Sequence, residues 1–155
     1  MTAELGPITD SGARFICANL REWDRREIFA CRWDDCTDGL AQQVLATPGP
    51  KWMATRDGRP AAFIGCVILW PGVYSPWCFG TDDFSGVSLL LTRLGKRGII
   101  PSVLASGGHR MEAKSLDGHE NSQAWLERCF GFRREATHPG FGRNGETFHT
   151  YALGL

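Results

Sequence analysis

The sequence predicts an α/β (α+β) fold: a mixed central sheet of about six or seven strands flanked by about four helices. Three observations lead there. Asp57-Gly58 and Asn144-Gly145 are turn dipeptides suited to the positive φ angles of a type I′ hairpin, so antiparallel strands are expected on either side of each. The run Phe63-Ile64-Gly65-Cys66-Val67-Ile68-Leu69 is apolar throughout, as a strand covered on both faces is. In the second half, strand and helix alternate, which adds a strand-helix-strand unit to an antiparallel front half. With 155 residues the chain is sized for one domain, 1–155, with a core that needs no staples.

Taken in order, Ala13–Cys17 reads as a short first strand, and Asn19 as the cap of a helix over Leu20–Cys31. In that helix Leu20, Trp23 and Ala30 share a face that Glu27 interrupts. Arg21, Glu22, Asp24, Arg25 and Arg26 are expected on a solvated face, joined by i, i+4 pairs such as Glu22 with Arg26. A second helix, Asp38–Ala46, is stopped by Thr47-Pro48-Gly49-Pro50. Strands follow at Lys51–Arg56, Pro60–Trp70 and Tyr74–Thr81, with the middle one at the centre of the sheet. Pro76 cannot donate to a ladder, so it implies an edge or a bulge in the third.

A long helix then carries Val87, Leu90, Leu91 and Leu94 at helical spacing, capped by Asp83 or Ser85, with a kink or break near Arg97 because Pro101 lies four residues on. Arg110–Ser115 alternates as a half-exposed strand. The run from His119 to Tyr151 is read as a helix, a strand, a tight turn and a strand. Ser122, Trp125, Leu126, Cys129 and Phe130 share the helix's apolar face, and Gly131 ends it in the left-handed conformation with Phe132 packing back.

Composition removes several classes of function. Seventeen basic and seventeen acidic side chains cancel, so no global field draws the chain onto nucleic acid or an anionic membrane. No apolar run reaches the length of a membrane span, and Met1–Asp10 does not read as a signal peptide. The six cysteines are scattered, which favours free thiols in a reducing setting. Cys31 and Cys36 lack a second pair at zinc-site spacing, so no metal site is expected. His119, beside Glu120, reads as a surface residue. There is no nucleophile elbow and no Gly-Lys-Ser/Thr phosphate loop. Six tryptophans exceed what a central core of this size accommodates, so some are expected as anchors of a protein interface.

The element order, with a helix ending at Gly131-Phe132 and two closing strands, resembles the GNAT acetyltransferase superfamily over nearly the whole chain. Particular phrases are closer still to the acetyltransferase-like proteins of short-tailed bacteriophages, a family that includes an internal virion protein. They are Asn-Leu-Arg-Glu-Trp-Asp-Arg-Arg-Glu-Ile from Asn19, Phe-Gly-Thr-Asp-Asp-Phe from Phe79, Ile-Ile-Pro-Ser from Ile99 and His-Arg-Met-Glu-Ala-Lys-Ser-Leu from His109.

The superfamily resemblance implies acetyl-CoA as cofactor, its pyrophosphate on a glycine-containing turn at the start of the long helix. Phe79, Ser85, Gly86 and Asn121 are the positions it would occupy, and Glu127 stands where a proton-donating tyrosine is common. Only Gly86 suits that turn, and Asp82 and Asp83 have the wrong charge for a phosphate. The expectation is therefore a bacteriophage protein on this scaffold with a degenerate acetyl-CoA site. It would act in the virion or its assembly through contacts with phage or host proteins or with itself, in the host cytoplasm or the particle. The alternative is an active N-acetyltransferase of a protein or small-molecule amine.

Overall fold

A computed structural model describes residues Met1–Leu155. The chain enters as a short strand, β1 (Ala3–Gly6), then forms three helices, α1 (Asp10–Ala18), α2 (Glu22–Ala30) and α3 (Thr37–Ala46). The strands β2 (Lys51–Arg56), β3 (Arg59–Trp70) and β4 (Val73–Gly80) follow. A 3₁₀ turn over Asp82–Gly86 leads into α4 (Ser88–Leu94), a π turn over Gly95–Ile99 and α5 (Ile100–Ala105). Next come β5 (Arg110–Leu116), α6 (Glu120–Phe130), β6 (Arg133–His138) and β7 (Phe148–Gly154). The seven strands form one mixed sheet in the order β1-β2-β3-β4-β5-β7-β6, antiparallel throughout except between β4 and β5. No helix is long and apolar enough to cross a membrane.

The sheet separates two cores, which explains why β3 is apolar on both faces from Ala61 to Cys66; Ile68 and Leu69, expected to be covered as well, are exposed where the strand runs past both cores. Ile64 and Cys66 pack with Val87, Leu91, Ile99, Val103 and Met111 beneath α4 to α6. Phe63 packs with Met53, Ile16, Leu40 and Val44 beneath α1 and α3. Each fully buried side chain of this size contributes about 1.5–3 kcal/mol. Asp57 and Gly58 both take positive φ, 50° and 77°, so the β2–β3 hairpin closes as expected from its dipeptide. Gly131 caps α6 at φ 79°, and the N–H groups of Gly131 and Phe132 reach back to Glu127 and Leu126.

The irregularity expected near Arg97 is the π turn. Pro101 has no N–H to return to Arg97, and the Ile100 N–H instead reaches the Gly95 carbonyl.

Four expectations are corrected. Ala13–Cys17 is helix, part of α1: Ala13, Ile16 and Cys17 are buried at i, i+3 and i+4, and the Thr9 hydroxyl accepts from the Gly12 N–H at 3.1 Å. Five residues are too few to separate a strand period from a helical one, and the cap decides. The first strand is Ala3–Gly6, paired with β2.

Asn19 closes α1 and does not cap α2, while Thr81, not Asp83 or Ser85, caps the turn into α4. Finally, Asn144-Gly145 sits within a longer loop, 139–147, and only its glycine takes positive φ. The Arg143 N–H bonds the Ala30 carbonyl at 2.8 Å and its guanidinium pairs with Asp35, so contacts to the helical layer shape this loop in place of a two-residue turn.

Candidate functional site

The parallel pairing of β4 and β5 lasts only two residues, Val73 with Arg110 and Tyr74 with Met111. Beyond that point Ser75–Phe79 on one side and Met111, Ala113 and Lys114 on the other form opposite walls of a cavity of about 360 Å³. Further lining comes from α2 and its C-cap (Asp24, Glu27, Ile28, Cys31), from the π turn (Gly95, Ile99) and from α6 (Ser122, Trp125, Leu126, Phe130). The space thus passes through the sheet, between helices of both layers.

Sequence chemistry explains the gap. The Cys66 N–H bonds Pro50, away from β4, so Cys66 and its partner Pro76 form a non-hydrogen-bonded antiparallel pair. The missing N–H of Pro76 therefore lies on the edge of β4 that faces β5. Pro76 removes a ladder bond where the strands part, so it marks an edge that opens within the sheet. By the same alternation Cys78 and Gly80 turn their N–H and C=O groups into the gap.

At Gly80 those groups are taken by α2: the Arg21 N–H donates to the Gly80 carbonyl at 3.0 Å, and the Gly80 N–H donates to Asp24 Oδ2 at 2.9 Å. Across the gap, the Leu116 N–H at the end of β5 donates to Glu27 Oε1 at 3.2 Å. Helix α2 thereby ties the two strand ends at their widest separation.

Glu27 also makes a 2.6 Å hydrogen bond to His119 Nδ1, and His119 Nε2 lies 3.8 Å from Asp24 Oδ1. The side chains of Asp24 and His119 are 3% and 4% exposed. Trp23 stacks on the imidazole at 5.6 Å, with its far edge over Gly118, where a Cβ would come within 3.0 Å of the indole. Ligand atoms of the three residues lie within 4.8 Å of one another, but the imidazole sits between the two carboxylates, one at each ring nitrogen. That disposition suits a proton relay better than a shared ion. Asp24 and Glu27 line the cavity.

Two thiols border the same space. Burial pushes the Cys78 thiol up, with Asp24 adding to the effect, and burial followed by the Glu27 charge does the same for Cys31. Neither is poised as a thiolate nucleophile. On the opposite wall, the Trp125 indole N–H donates to Thr92 Oγ1 at 2.8 Å, and its ring meets Phe84 and Phe130 edge to face. Phe130 lies against Gly95, where a Cβ would stand 2.6 Å from the ring. The site can therefore hold a narrow, largely apolar chain against the open edge of β4, with a buried carboxylate–imidazole pair at one side.

Of the residues singled out from the sequence, Phe79 lines the cavity. Glu127 and Asn121 are exposed on α6, and neither lines it; Ser122 does. Ser85 is exposed, and Gly86 lies under the Arg56 side chain; both are outside the cavity wall. His119 is buried, contrary to the surface position expected for it. The pair expected between Glu22 and Arg26 is replaced by Glu22 with Arg25 at 2.7 Å, while Arg26 lies over the Trp23 ring. Glu27 was visible as the charge that interrupts an otherwise apolar helix face, and that interruption was the available signal. Its partner His119 is 92 residues away in the chain, and nothing local links the two.

No protein-family model matches this chain, and no curated protein matches it by sequence. Among solved structures the chain is similar to Ard1 from Thermoplasma volcanium, with a TM-score of 0.75 at 11% identity over 100% of this chain and 99% of that one. It is similar to the ribosomal-protein-alanine N-acetyltransferase from Brucella melitensis, with a TM-score of 0.72 at 16% identity over 98% and 99% of the two chains. A third is yncA from Salmonella typhimurium, solved with its cofactor acetyl-CoA, with a TM-score of 0.68 at 15% identity over 100% and 95%. The chain has the GNAT acetyltransferase fold.

Proposed function

We propose that this protein is an amine acyltransferase that holds an acyl thioester in the gap between β4 and β5. The observation behind this reading is a cavity that passes through the sheet and ends beside the Glu27–His119 pair. Such an arrangement gives the two reactants separate approaches, one from each helical layer. The apolar walls at Pro76, Met111, Trp125 and Phe130 suit the thioester arm, and the Cys78 N–H and C=O suit its amides.

When bound, the thioester supplies an activated carbonyl: its C–S bond breaks as a C–N bond to the amine forms, and the departing thiolate takes up a proton. The chain's own contribution is made from α2. Glu27 accepts the proton lost by the amine nitrogen, held in place by the Leu116 N–H and His119, while Asp24 keeps the far side of the imidazole in a polar contact. Burial raises the Cys31 and Cys78 thiols above their ordinary range, which favours direct transfer over an acyl-cysteine.

The test is incubation with an acetyl thioester and a panel of primary amines, followed by mass spectrometry of the amine and measurement of free thiol. Equal amounts of acetylated amine and released thiol are expected. Thioester hydrolysis alone, or no turnover, would remove the acyltransferase reading.

A second reading, a bacteriophage protein working in the virion or its assembly through protein contacts, is favoured by exposed apolar side chains. Trp33 is fully exposed, and Ile68, Leu69 and Trp70 stand out together at the end of β3. Sedimentation of the isolated protein and its presence or absence in purified particles separate the two.

A further inference from the structure

Coenzyme A has two ends, an acylated pantetheine arm and a phosphorylated nucleotide, and the chain treats them differently. The open edge of β4 suits the arm. The turn between β4 and α4 does not suit a diphosphate, for three independent reasons.

Three of its N–H groups are already committed. Asp83 N–H donates to Thr81 Oγ1 at 3.2 Å, Phe84 N–H to the Thr81 carbonyl at 3.0 Å and Val87 N–H to the Phe84 carbonyl at 3.0 Å. A 3₁₀ turn consumes the donors that an open, glycine-lined turn would direct at an anion. The turn's charge is also negative, from Asp82 and Asp83. Finally, the arginines beside the turn are engaged by its own Asp83: Arg56 and Arg59 lie 3.6 and 3.7 Å from that carboxylate. Arg56 covers Gly86 as well, its Cδ 2.6 Å from where a Cβ would stand, so the single suitable glycine is screened while Arg56 stays paired with Asp83.

We propose that the site recognises its donor through the acyl-pantetheine arm alone, and that the nucleotide end of coenzyme A adds nothing to binding. This rests on the acyltransferase reading and narrows it to a donor class: thioesters of a pantetheine arm, whatever that arm is attached to. Asp82 repels the phosphates and Asp83 competes with them for Arg56 and Arg59, while the contacts of the arm are common to every member of the class.

Calorimetric titration of the intact protein with S-acetylpantetheine, acetyl-CoA and adenosine 3′,5′-bisphosphate tests this. The two thioesters are expected to bind with dissociation constants within about threefold of each other, and the bisphosphate not to bind at millimolar concentration. An Asp82→Asn/Asp83→Asn variant relieves the repulsion and is expected to favour acetyl-CoA over S-acetylpantetheine. Acetyl-CoA binding to the wild type more than about tenfold tighter than S-acetylpantetheine would overturn this inference and leave the acyltransferase reading intact. Failure of both thioesters to bind would overturn both.

Discussion

Glu27 concentrates the chemistry at the scale of single residues. Its two oxygens are fixed by partners on different elements, the Leu116 N–H and the His119 ring. Replacing it with glutamine keeps the volume and removes the proposed base. Glu27→Gln is expected to lower acyl transfer by about 10²- to 10⁴-fold while leaving thioester affinity unchanged. A loss of thioester affinity equal to the loss of rate would mean that Glu27 shapes the cavity and does not take the proton. Asp24 has a different task. It secures β4 through the Gly80 N–H and receives the Arg21 guanidinium at 2.6 Å. Because Arg21 itself lies over Phe84 at 3.8 Å, that ion pair joins α2 to the core beneath α4.

Among the elements, two glycines show how helices frame the cavity. Gly131 ends α6 in the left-handed region, so Gly131→Ala introduces a backbone penalty of roughly 1–2 kcal/mol, visible as a lower urea midpoint with an unchanged slope. Gly95 is different, since its φ is ordinary and its constraint is the Phe130 ring. Gly95→Ala displaces that ring, which lines the cavity. It is expected to cost about 1–3 kcal/mol and to weaken thioester binding; a stability loss with unaltered binding would show that Phe130 moves away from the site.

The end of α6 could be read from the sequence because a left-handed glycine cap leaves a local signature. The start of the chain could not, because Ala13–Cys17 suits either period and only the Thr9 cap and the burial of Ile16 against α3 decide it.

For the molecule as a whole, three surface carboxylates link stability to pH. The Thr2 N–H, at 2.8 Å, holds the Asp57 carboxyl below its ordinary range and ties β1 to the β2–β3 turn. Hydrogen bonding from Arg110 does the same for Glu135, and backbone N–H groups do so for Glu146. In each case the unfolded chain binds a proton at a higher pH than the folded one. The stability these groups contribute is therefore complete above the ordinary carboxylate range and lost as pH falls through their folded values. Urea unfolding between neutral pH and about pH 3 should show that loss. Asp57→Asn, which retains a residue tolerant of positive φ, should reduce its pH dependence; an identical profile would show that the Asp57 charge is not linked to folding.

Local patterning determined the apolar β3, the Asp57-Gly58 hairpin, the glycine end of α6 and the interruption near Pro101, since each depends on φ preference or periodicity within a few residues. The sequence also exposed the paired acidic charges at Asp82-Asp83, because charge type is visible without coordinates. The site itself was decided by tertiary structure. The gap between β4 and β5 exists because a two-residue parallel pairing gives way at Pro76, and the Glu27–His119 pair exists because α2 crosses that gap to reach the end of β5. Both depend on contacts between segments far apart in the chain, which local preference does not encode.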